Sequence, residues 1–204
     1  MAVHSRAIEW SAFAASANVS LQTCVTSAEQ HAIQARHYAS GFLQGGLSAL
    51  ADAILSSDAV RQVNASQQRY LEQDQGVQTV DDKSIAFVFE SKPKNLSYAA
   101  EGVDLLLVLS AFDANIKVFF KSDGLANLIN VNNSEAPKYT KRFLALTDFD
   151  IDSVYCVNDG IGTNVEIDSS AIIDKMSAHN LNAEFIDANA LMSALDKTHH
   201  VLYF

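Results

Sequence analysis

A continuous apolar run from Ile85 to Phe89 constrains the fold of this chain more than any other feature. A strand that faces water on one side alternates apolar and polar residues. An unbroken run of apolar residues instead fits a strand that is covered on both faces. Such coverage is typical of parallel sheets, which carry helices on both sides. The run therefore predicts a central strand of an α/β sheet.

Helix-like and strand-like segments alternate after this run. Proline at a segment's start and apolar residues three or four apart indicate helices, whereas short apolar runs bounded by turn residues indicate strands. The predicted order is helix Gly102–Phe112, strand Ile116–Phe120, helix Pro137–Leu146, strand Val154–Val157, helix Ser170–Ala178 and strand His200–Phe204. This βαβ alternation predicts a parallel sheet.

The amino-terminal part shows a shorter version of the same alternation. Four apolar residues share one face of an amphipathic helix predicted over residues 5–17: Trp10, Phe13, Ala14 and Ala17. We expect this helix to stop at Asn18. Apolar and polar residues then alternate from 19 to 25, which predicts a strand with Cys24 near its carboxyl end.

Two helices and a short strand are predicted to follow. Capping signals at Thr26 and Ser27 predict a helix directly after the strand, and a second helix covers Leu47–Leu55 before a short strand Asp58–Val63. Both parts of the chain thus end with a helix, a strand that finishes in a cysteine, a helix and a closing strand. The opening strand, helix and strand of the second part have no counterpart in the first.

Residues 64–82 hold no sustained apolar period and read as a linker. The predicted organisation therefore has three parts: a partial module over 1–63, the linker 64–82, and a complete domain over 83–204. Because the opening half of the first module is lacking, we expect its sheet to have an uncovered edge that needs a partner.

Charge and cysteine content exclude several classes of protein. Fourteen Lys and Arg against 24 Asp and Glu give a net charge of −10, which disfavours direct binding to nucleic acid. No stretch approaches the ~20 apolar residues of a membrane helix. The two cysteines, Cys24 and Cys156, lack the close partners of a disulfide framework or a thiolate metal site. These features predict a cytoplasmic protein that does not bind a membrane.

Cys24 is the strongest candidate for chemistry. A thiol at the carboxyl end of a parallel strand lies where open α/β sheets bind ligands, and a helix start at Thr26 and Ser27 would favour the thiolate. The alternative is a small buried apolar side chain, which is the common fate of a free cysteine. Cys156 is the weaker candidate, since the nearby Asp159 opposes its ionisation.

Other motifs are incomplete, so we predict no metal and no cofactor. Gly160 and Gly162 begin a dinucleotide fingerprint, but Val165 stands where the third glycine belongs. Three acidic residues resemble a calcium loop without its glycine and its glutamate: Asp148, Asp150 and Asp152. His199 and His200 would point to opposite sides of a strand. Cys24 with His31 or His37 lacks an oxyanion glycine cluster.

The chain resembles sulfur-relay proteins of the DsrE/DsrF family in two blocks. Residues 18–25 and 46–63 resemble the carboxyl-terminal half of TusD, also called DsrE. Residues 83–204 resemble a complete TusC, or DsrF, through these segments: Ile85–Phe89, Glu101–Leu106, Phe119–Gly124, Asp150–Ile151 ahead of Cys156, and Val201–Phe204.

This resemblance implies a flavodoxin-like α/β fold and a hetero-oligomer with TusB/DsrH-like and TusD/TusC-like subunits. In the TusD family a cysteine at this strand end carries sulfur as a persulfide, which implies the catalytic role for Cys24 and none for Cys156. The implied sulfur donor is TusA-like and the acceptor is TusE-like. The implied outcome is 2-thiolation of the tRNA wobble uridine in the cytoplasm.

Two alternatives accompany this interpretation. The chain is a persulfide sulfurtransferase subunit if the Cys24 site is intact, or a non-catalytic TusC-type scaffold if it is not. It also fits a DsrEFH-type component of dissimilatory sulfur oxidation. A flavodoxin-like flavin or nucleotide binder would need a phosphate-binding loop, which the sequence does not show.

Overall fold

The computed structural model describes residues 2–30, 32–34, 38, 40–60, 84–91, 98–112, 114–129, 137–157 and 168–204. The predicted linker 64–82 lies outside these residues. The chain divides into two compact units, Met1–Ser56 and Ser57–Phe204.

The described residues of the first unit form two parallel strands and three helices. Its elements in chain order are α1 Ala2–Ala17, β1 Leu21–Cys24, α2 Val25–Gln30, β2 Phe42–Gly45 and α3 Leu47–Ser56. Strand β1 pairs with β2 so that Leu21 lies opposite Phe42 and Cys24 opposite Gly45. The predicted first helix, the strand that ends at Cys24 and the helix before Ser56 are therefore present.

Two predictions for the amino-terminal part of the chain are corrected by the structure, and one element was missed. The predicted apolar face of α1 is not a buried face, since Ala14 is buried whereas Trp10 is 58% and Phe13 56% exposed. Strand β2 was not predicted. Residues 58–60 of the predicted strand 58–63 are not extended into a sheet, and residues 61–63 lie outside the described part.

The second unit is a parallel sheet with helices on its faces. Its strands are β3 Ser84–Phe89, β4 Asn115–Lys121, β5 Ser153–Val157, β6 Asn182–Ile186 and β7 His200–Tyr203. Its helices are α4 Tyr98–Ser110, α5 Ala126–Ile129, α6 Ser169–Ser177 and α7 Ala188–Leu195. The strand order is β6-β5-β4-β3-β7, and every pairing is parallel. This confirms the predicted α/β, flavodoxin-like parallel sheet.

The central strand β3 is buried along the apolar run, as predicted. All five residues from Ile85 to Phe89 have no solvent exposure. On one face of the sheet, the rings of Phe87 and Phe89 join an aromatic cluster with Phe120, Phe143 and Phe204, with Phe89 and Phe120 stacked at 5.2 Å. Each such burial contributes about 1.5–3 kcal/mol. The cluster therefore fixes β3 at the centre of the unit.

The opposite face of the sheet is covered by α7. Leu191 of this helix packs on Ala86, Val88, Phe119 and Val157. The carboxylate of Asp187 caps α7 by accepting a hydrogen bond from the backbone N–H of Ala190 at 2.7 Å. The sequence did not predict α7 or the strand β6 that precedes it.

One predicted helix has a different geometry. The segment that begins after Pro137 is a run of 3₁₀ turns, Lys138–Phe149, and it ends at Asp150 in the left-handed conformation with φ 59°. A second 3₁₀ turn, Ser122–Leu125, follows β4.

The two units share a local arrangement that is equivalent residue by residue. Asn18 at the end of α1 is left-handed with φ 55°, and the next N–H, of Val19, donates to the carbonyl of Ala14 at 2.9 Å. In the second unit the left-handed residue is Asp150. The N–H of the next residue, Ile151, likewise donates to the carbonyl of Leu146 at 3.1 Å. In each unit a cysteine follows the left-handed residue six positions later; Cys24 is the last residue of β1, and Cys156 is the last but one of β5. The predicted matching places of Cys24 and Cys156 are thus observed.

Candidate functional site

The two cysteines occupy equivalent positions but differ in access to solvent. Cys24 ends β1 and is exposed, whereas Cys156 lies in β5 and is fully buried. The carboxyl ends of parallel strands are the usual place for ligands in open α/β sheets. Of the two thiols, Cys24 is therefore the one that another molecule can reach.

Burial makes Cys156 chemically inert. It lies in register between Phe120 of β4 and Phe185 of β6. Burial raises the pKa of the Cys156 thiol to about 12, because the thiolate would lose its hydration. At neutral pH the group is protonated and behaves as an apolar side chain. The sequence argument for its low reactivity relied on Asp159, which lies outside the described residues.

The surroundings of Cys24 are more open than those of Cys156. Its register neighbour in β2 is Gly45, which has no side chain. The carboxamide of Gln22 lies over this glycine, with Oε1 2.5 Å from the position that a Cβ at Gly45 would take. Gln22 and Cys24 are two residues apart in one strand and share a face. Cys24, Gly45 and Gln22 therefore form one surface.

The helix after Cys24 begins one residue earlier than predicted. Helix α2 starts at Val25 and has only six residues. Few aligned peptide dipoles are therefore available to stabilise a thiolate at the end of β1. His31 and His37, the histidines considered and set aside as partners of Cys24, lie outside the described residues.

The histidine pair is arranged differently from the prediction. The rings of His199 and His200 meet edge to face at 4.4 Å and do not point to opposite sides, because His199 precedes β7. Nε2 of His200 lies 3.2 Å from the carbonyl oxygen of Ser57. In the described part of the chain, no three His, Cys, Asp or Glu side chains group in a way that would hold a metal ion.

Within the described residues, the acidic residues that resemble a calcium loop form no metal site. Asp150 is the left-handed cap that ends the 3₁₀ segment Lys138–Phe149. Gly160, Gly162 and Val165 lie outside the described residues.

Sequence reasoning missed a charged cluster at the carboxyl edge of the larger sheet. Lys121 Nζ and Glu90 Oε1 are 3.4 Å apart, each just beyond the buried part of its strand. Burial and the charge of Glu90 raise the pKa of Tyr203 on the neighbouring strand. Alternation along β3, β4 and β7 places these three residues on one face, which is the signal that could have found them.

A buried amide network on the other face was also missed. The fully buried Asn127 donates to the carbonyl oxygens of Ser91 and Gly124 at 3.0 and 2.8 Å, and it accepts a 2.9 Å hydrogen bond from the hydroxyl of Tyr139. These bonds join the ends of β3 and β4 to the 3₁₀ segment. The network satisfies its polar groups internally and is therefore structural.

A shallow groove of about 190 Å³ lies beside α7. Its floor is the stacked pair Phe119 and Tyr155, with ring centroids 5.1 Å apart, and Ala190 and Ala194 form one wall. Lys117 also lines the groove, and we assign the groove no chemistry.

Comparison with known proteins identifies the second unit. Residues 83–204 match the DsrE/DsrF-like family, and the chain belongs to this family. The predicted family resemblance is thereby confirmed for the TusC-like block.

Relatives named TusC match the same part of the chain. "Protein TusC" of Buchnera aphidicola subsp. Acyrthosiphon pisum (strain Tuc7) is 30% identical over 117 residues, which cover 54% of this chain and 98% of the relative. "Protein TusC" of Buchnera aphidicola subsp. Schizaphis graminum (strain Sg) is 34% identical over 82 residues, which cover 39% of this chain and 69% of the relative. A "Protein TusC homolog" of Aliivibrio fischeri (strain ATCC 700601 / ES114) is 29% identical over 118 residues, which cover 55% of this chain and 94% of the relative.

None of the described helices is long and apolar enough to cross a membrane.

Proposed function

We propose that this chain is a subunit of a cytoplasmic sulfur relay in which Cys24 carries persulfide sulfur toward 2-thiolation of the tRNA wobble uridine. The exposed thiol of Cys24 at the carboxyl end of a parallel strand carries the proposal. The match of residues 83–204 to proteins named TusC supports the pathway.

The proposed organisation is a partial TusD/DsrE-like module over 1–63, a linker over 64–82 and a TusC/DsrF-like domain over 83–204. Support for a shared origin of the modules comes from the equivalence of residues 14–24 with 146–156 in their helix end, left-handed residue and cysteine. The first unit carries the reactive thiol, and the second serves assembly.

The chemistry requires only thiols. A donor persulfide transfers its outer sulfur when the thiolate of Cys24 attacks that sulfur: a new S–S bond forms, the donor's S–S bond breaks, and the donor leaves as a thiolate. The acceptor thiolate repeats this attack on the Cys24 persulfide. No net oxidation occurs, so no cofactor is needed. The buried and protonated Cys156 cannot take part.

The proposed partners are a TusA-like sulfur donor, a TusE-like acceptor and TusB/DsrH-like and TusD/TusC-like subunits in a hetero-oligomer. Trp10 and Phe13 support a protein partner, because α1 exposes both rings in an edge-to-face pair 6.0 Å apart. The net charge of −10 opposes direct binding to tRNA.

Sulfur loading of the full chain tests the carrier role. After incubation with a small-molecule persulfide, the intact mass should rise by one sulfur atom in the wild type and in Cys156→Ala, and should not rise in Cys24→Ser. A wild-type chain that gains no sulfur would overturn the carrier role and favour the scaffold.

Wobble 2-thiouridine in tRNA tests the pathway. Deletion of the gene should abolish it, and normal levels would overturn the tRNA assignment in favour of a DsrEFH-type role. Loss in the deletion strain but not in a Cys24→Ser strain would keep the pathway and make this chain a scaffold.

A further inference from the structure

The groove beside α7 lies on the face of the larger sheet that helices cover less. The connections from β3 to β4, to β5 and to β6 advance in one direction, so right-handed crossovers place them on one face. The return from β6 to β7 places α7 on the other face. A helix about 10 Å across spans about half the width of strands that lie about 4.8 Å apart in this sheet. Within the described residues, the part of this face over β5 and β6 is therefore left incompletely covered.

Lys117 lines this groove as a half-buried cation without a partner. It lies in β4 opposite Ala86 and two residues before Phe119, so its side chain is on the face that α7 covers. Among the described residues, its ammonium group makes no hydrogen bond and no ion pair. Glu184 shares the face through its register with Tyr155, but it lies two strands away from β4, at about 10 Å. Partial burial weakens the hydration of an ammonium group, so the groove favours an occupant with a carboxylate.

The remainder of the groove is apolar and shallow. The stacked rings of Phe119 and Tyr155 form its floor beside Ile186, and its volume of about 190 Å³ is below the roughly 300–1,000 Å³ of small-molecule pockets. A free small ligand would therefore keep much of its surface in water. Ala190 and Ala194 lie one helical turn apart, and their short side chains let a second helix approach α7 closely. These features favour protein side chains, held on a helix, as the occupant.

We propose that the groove is a docking surface for an amphipathic helix of another subunit of the hetero-oligomer. This helix lies beside α7, packs an apolar side chain on Tyr155 and Ile186, and pairs a carboxylate with Lys117. The inference rests on the proposed function, which supplies the partner subunits, whereas the charge and shape of the groove supply the chemistry of the contact.

Filling the groove tests the steric part of the proposal. Ala190 is an exposed wall residue, so Ala190→Trp puts a large ring into the groove without disturbing the core. The full chain with this change should bind the TusB/DsrH-like and TusD/TusC-like subunits about tenfold more weakly or worse, as calorimetry measures. The matched control is Ser193→Trp, at an exposed residue of the same helix that does not line the groove, and it should bind as the wild type does.

Charge reversal tests the electrostatic part. Lys117→Glu should weaken binding about tenfold or more, because it sets two like charges against each other. Lys117→Met keeps an apolar stem without the charge, so it should lose less affinity, and its binding should depend less on salt than that of the wild type. Lys141→Glu makes the same charge change at an exposed residue of the 3₁₀ segment Lys138–Phe149 and should have no effect.

Photocrosslinking identifies the occupant. A benzophenone amino acid in place of Tyr155, within the complex of the full chain with its partner subunits, should crosslink to a helix of one of those subunits. The crosslinked helix should carry Asp or Glu within one turn of the crosslinked residue. Replacing that acidic residue with Lys should restore the binding that Lys117→Glu loses. This rescue would not occur if Lys117→Glu acted only by disturbing the fold, which circular dichroism also checks.

The outcomes separate this inference from the proposed function. Folded Ala190→Trp and Lys117→Glu proteins that bind at wild-type affinity overturn the docking surface alone, if the wild type gains sulfur at Cys24. A crosslink to a second copy of this chain, or no crosslink, also overturns it. A wild type that binds neither subunit overturns the docking surface together with the proposed hetero-oligomer. Weakened binding in the groove variants of a chain that gains no sulfur would support the docking surface and overturn the carrier role.

Discussion

Gly124 lies so close to the carbonyl oxygen of Phe89 that no side chain fits between them. A Cβ at this position would meet backbone atoms of Phe89 and Glu90, which cannot move without displacing β3. We expect Gly124→Ala to lower the free energy of unfolding of the second unit by about 3 kcal/mol or more, which urea titration measures. Gly46→Ala is the control, with no expected change. A Gly124→Ala protein with wild-type stability would show that the 3₁₀ turn can shift freely.

Cys156 should make stability depend on alkaline pH. Its thiol has a pKa of about 12 when folded and an ordinary value of 9.0, so both states keep the proton below pH 9. Between these values only the unfolded chain loses it, and the free energy of unfolding falls by about 1.4 kcal/mol per pH unit.

Comparison with Cys156→Ala isolates this effect, because other groups that titrate in the same window are common to both proteins. Denaturant titrations at several alkaline pH values should show a shallower decline in the variant. Parallel declines would contradict the assignment of a protonated, buried thiol.

The two thiols should differ in reactivity. Because Cys24 is exposed and Cys156 has no solvent exposure, one cysteine per native chain should react with iodoacetamide, and peptide mapping should place the label at Cys24. In denaturant both should react. Equal labelling in the native chain would mean that the larger sheet opens readily, and an inert native Cys24 would remove the chemical support for its role.

Tryptophan fluorescence should test the proposed partner surface on α1. Trp10 is the single tryptophan, and its ring is 58% exposed on α1. The isolated chain should emit at the long wavelength of a hydrated indole, and binding of a TusB/DsrH-like or TusD/TusC-like subunit should shift emission to shorter wavelength. Phe112→Tyr, at an exposed apolar residue of the other unit, is a control that should leave the shift intact. Binding without any shift would place the interface away from α1.

Strands with strong apolar runs were predictable from sequence, and short amphipathic elements were not. The run Ile85–Phe89 needs burial on both faces and so defines β3 by itself. Strand β6 carries exposed Asn182 and Glu184, and β2 has four residues that end in glycine, so neither shows such a run. These short strands are set by pairing with β5 and β1, a tertiary effect that local sequence does not contain.

In the candidate site, too, the features set by local sequence were predictable and those set by tertiary pairing were not. The place of Cys24 at a strand end followed from the alternation around it, and the structure agrees. Its neighbour Gly45 comes from a strand 21 positions away, and the pairing register alone brings it there. The inertness of Cys156 likewise comes from non-local burial rather than from a charge nearby in sequence.

The central position of β3 has a consequence for synthesis on the ribosome. Strand β3 pairs with β4 early, but its other edge pairs with β7, about 115 residues later in the chain. Until β7 emerges, the fully apolar run of β3 has an open edge, and long-range pairing of this kind is slow and prone to aggregation. Nascent chains should therefore depend on chaperones until the last strand is in place.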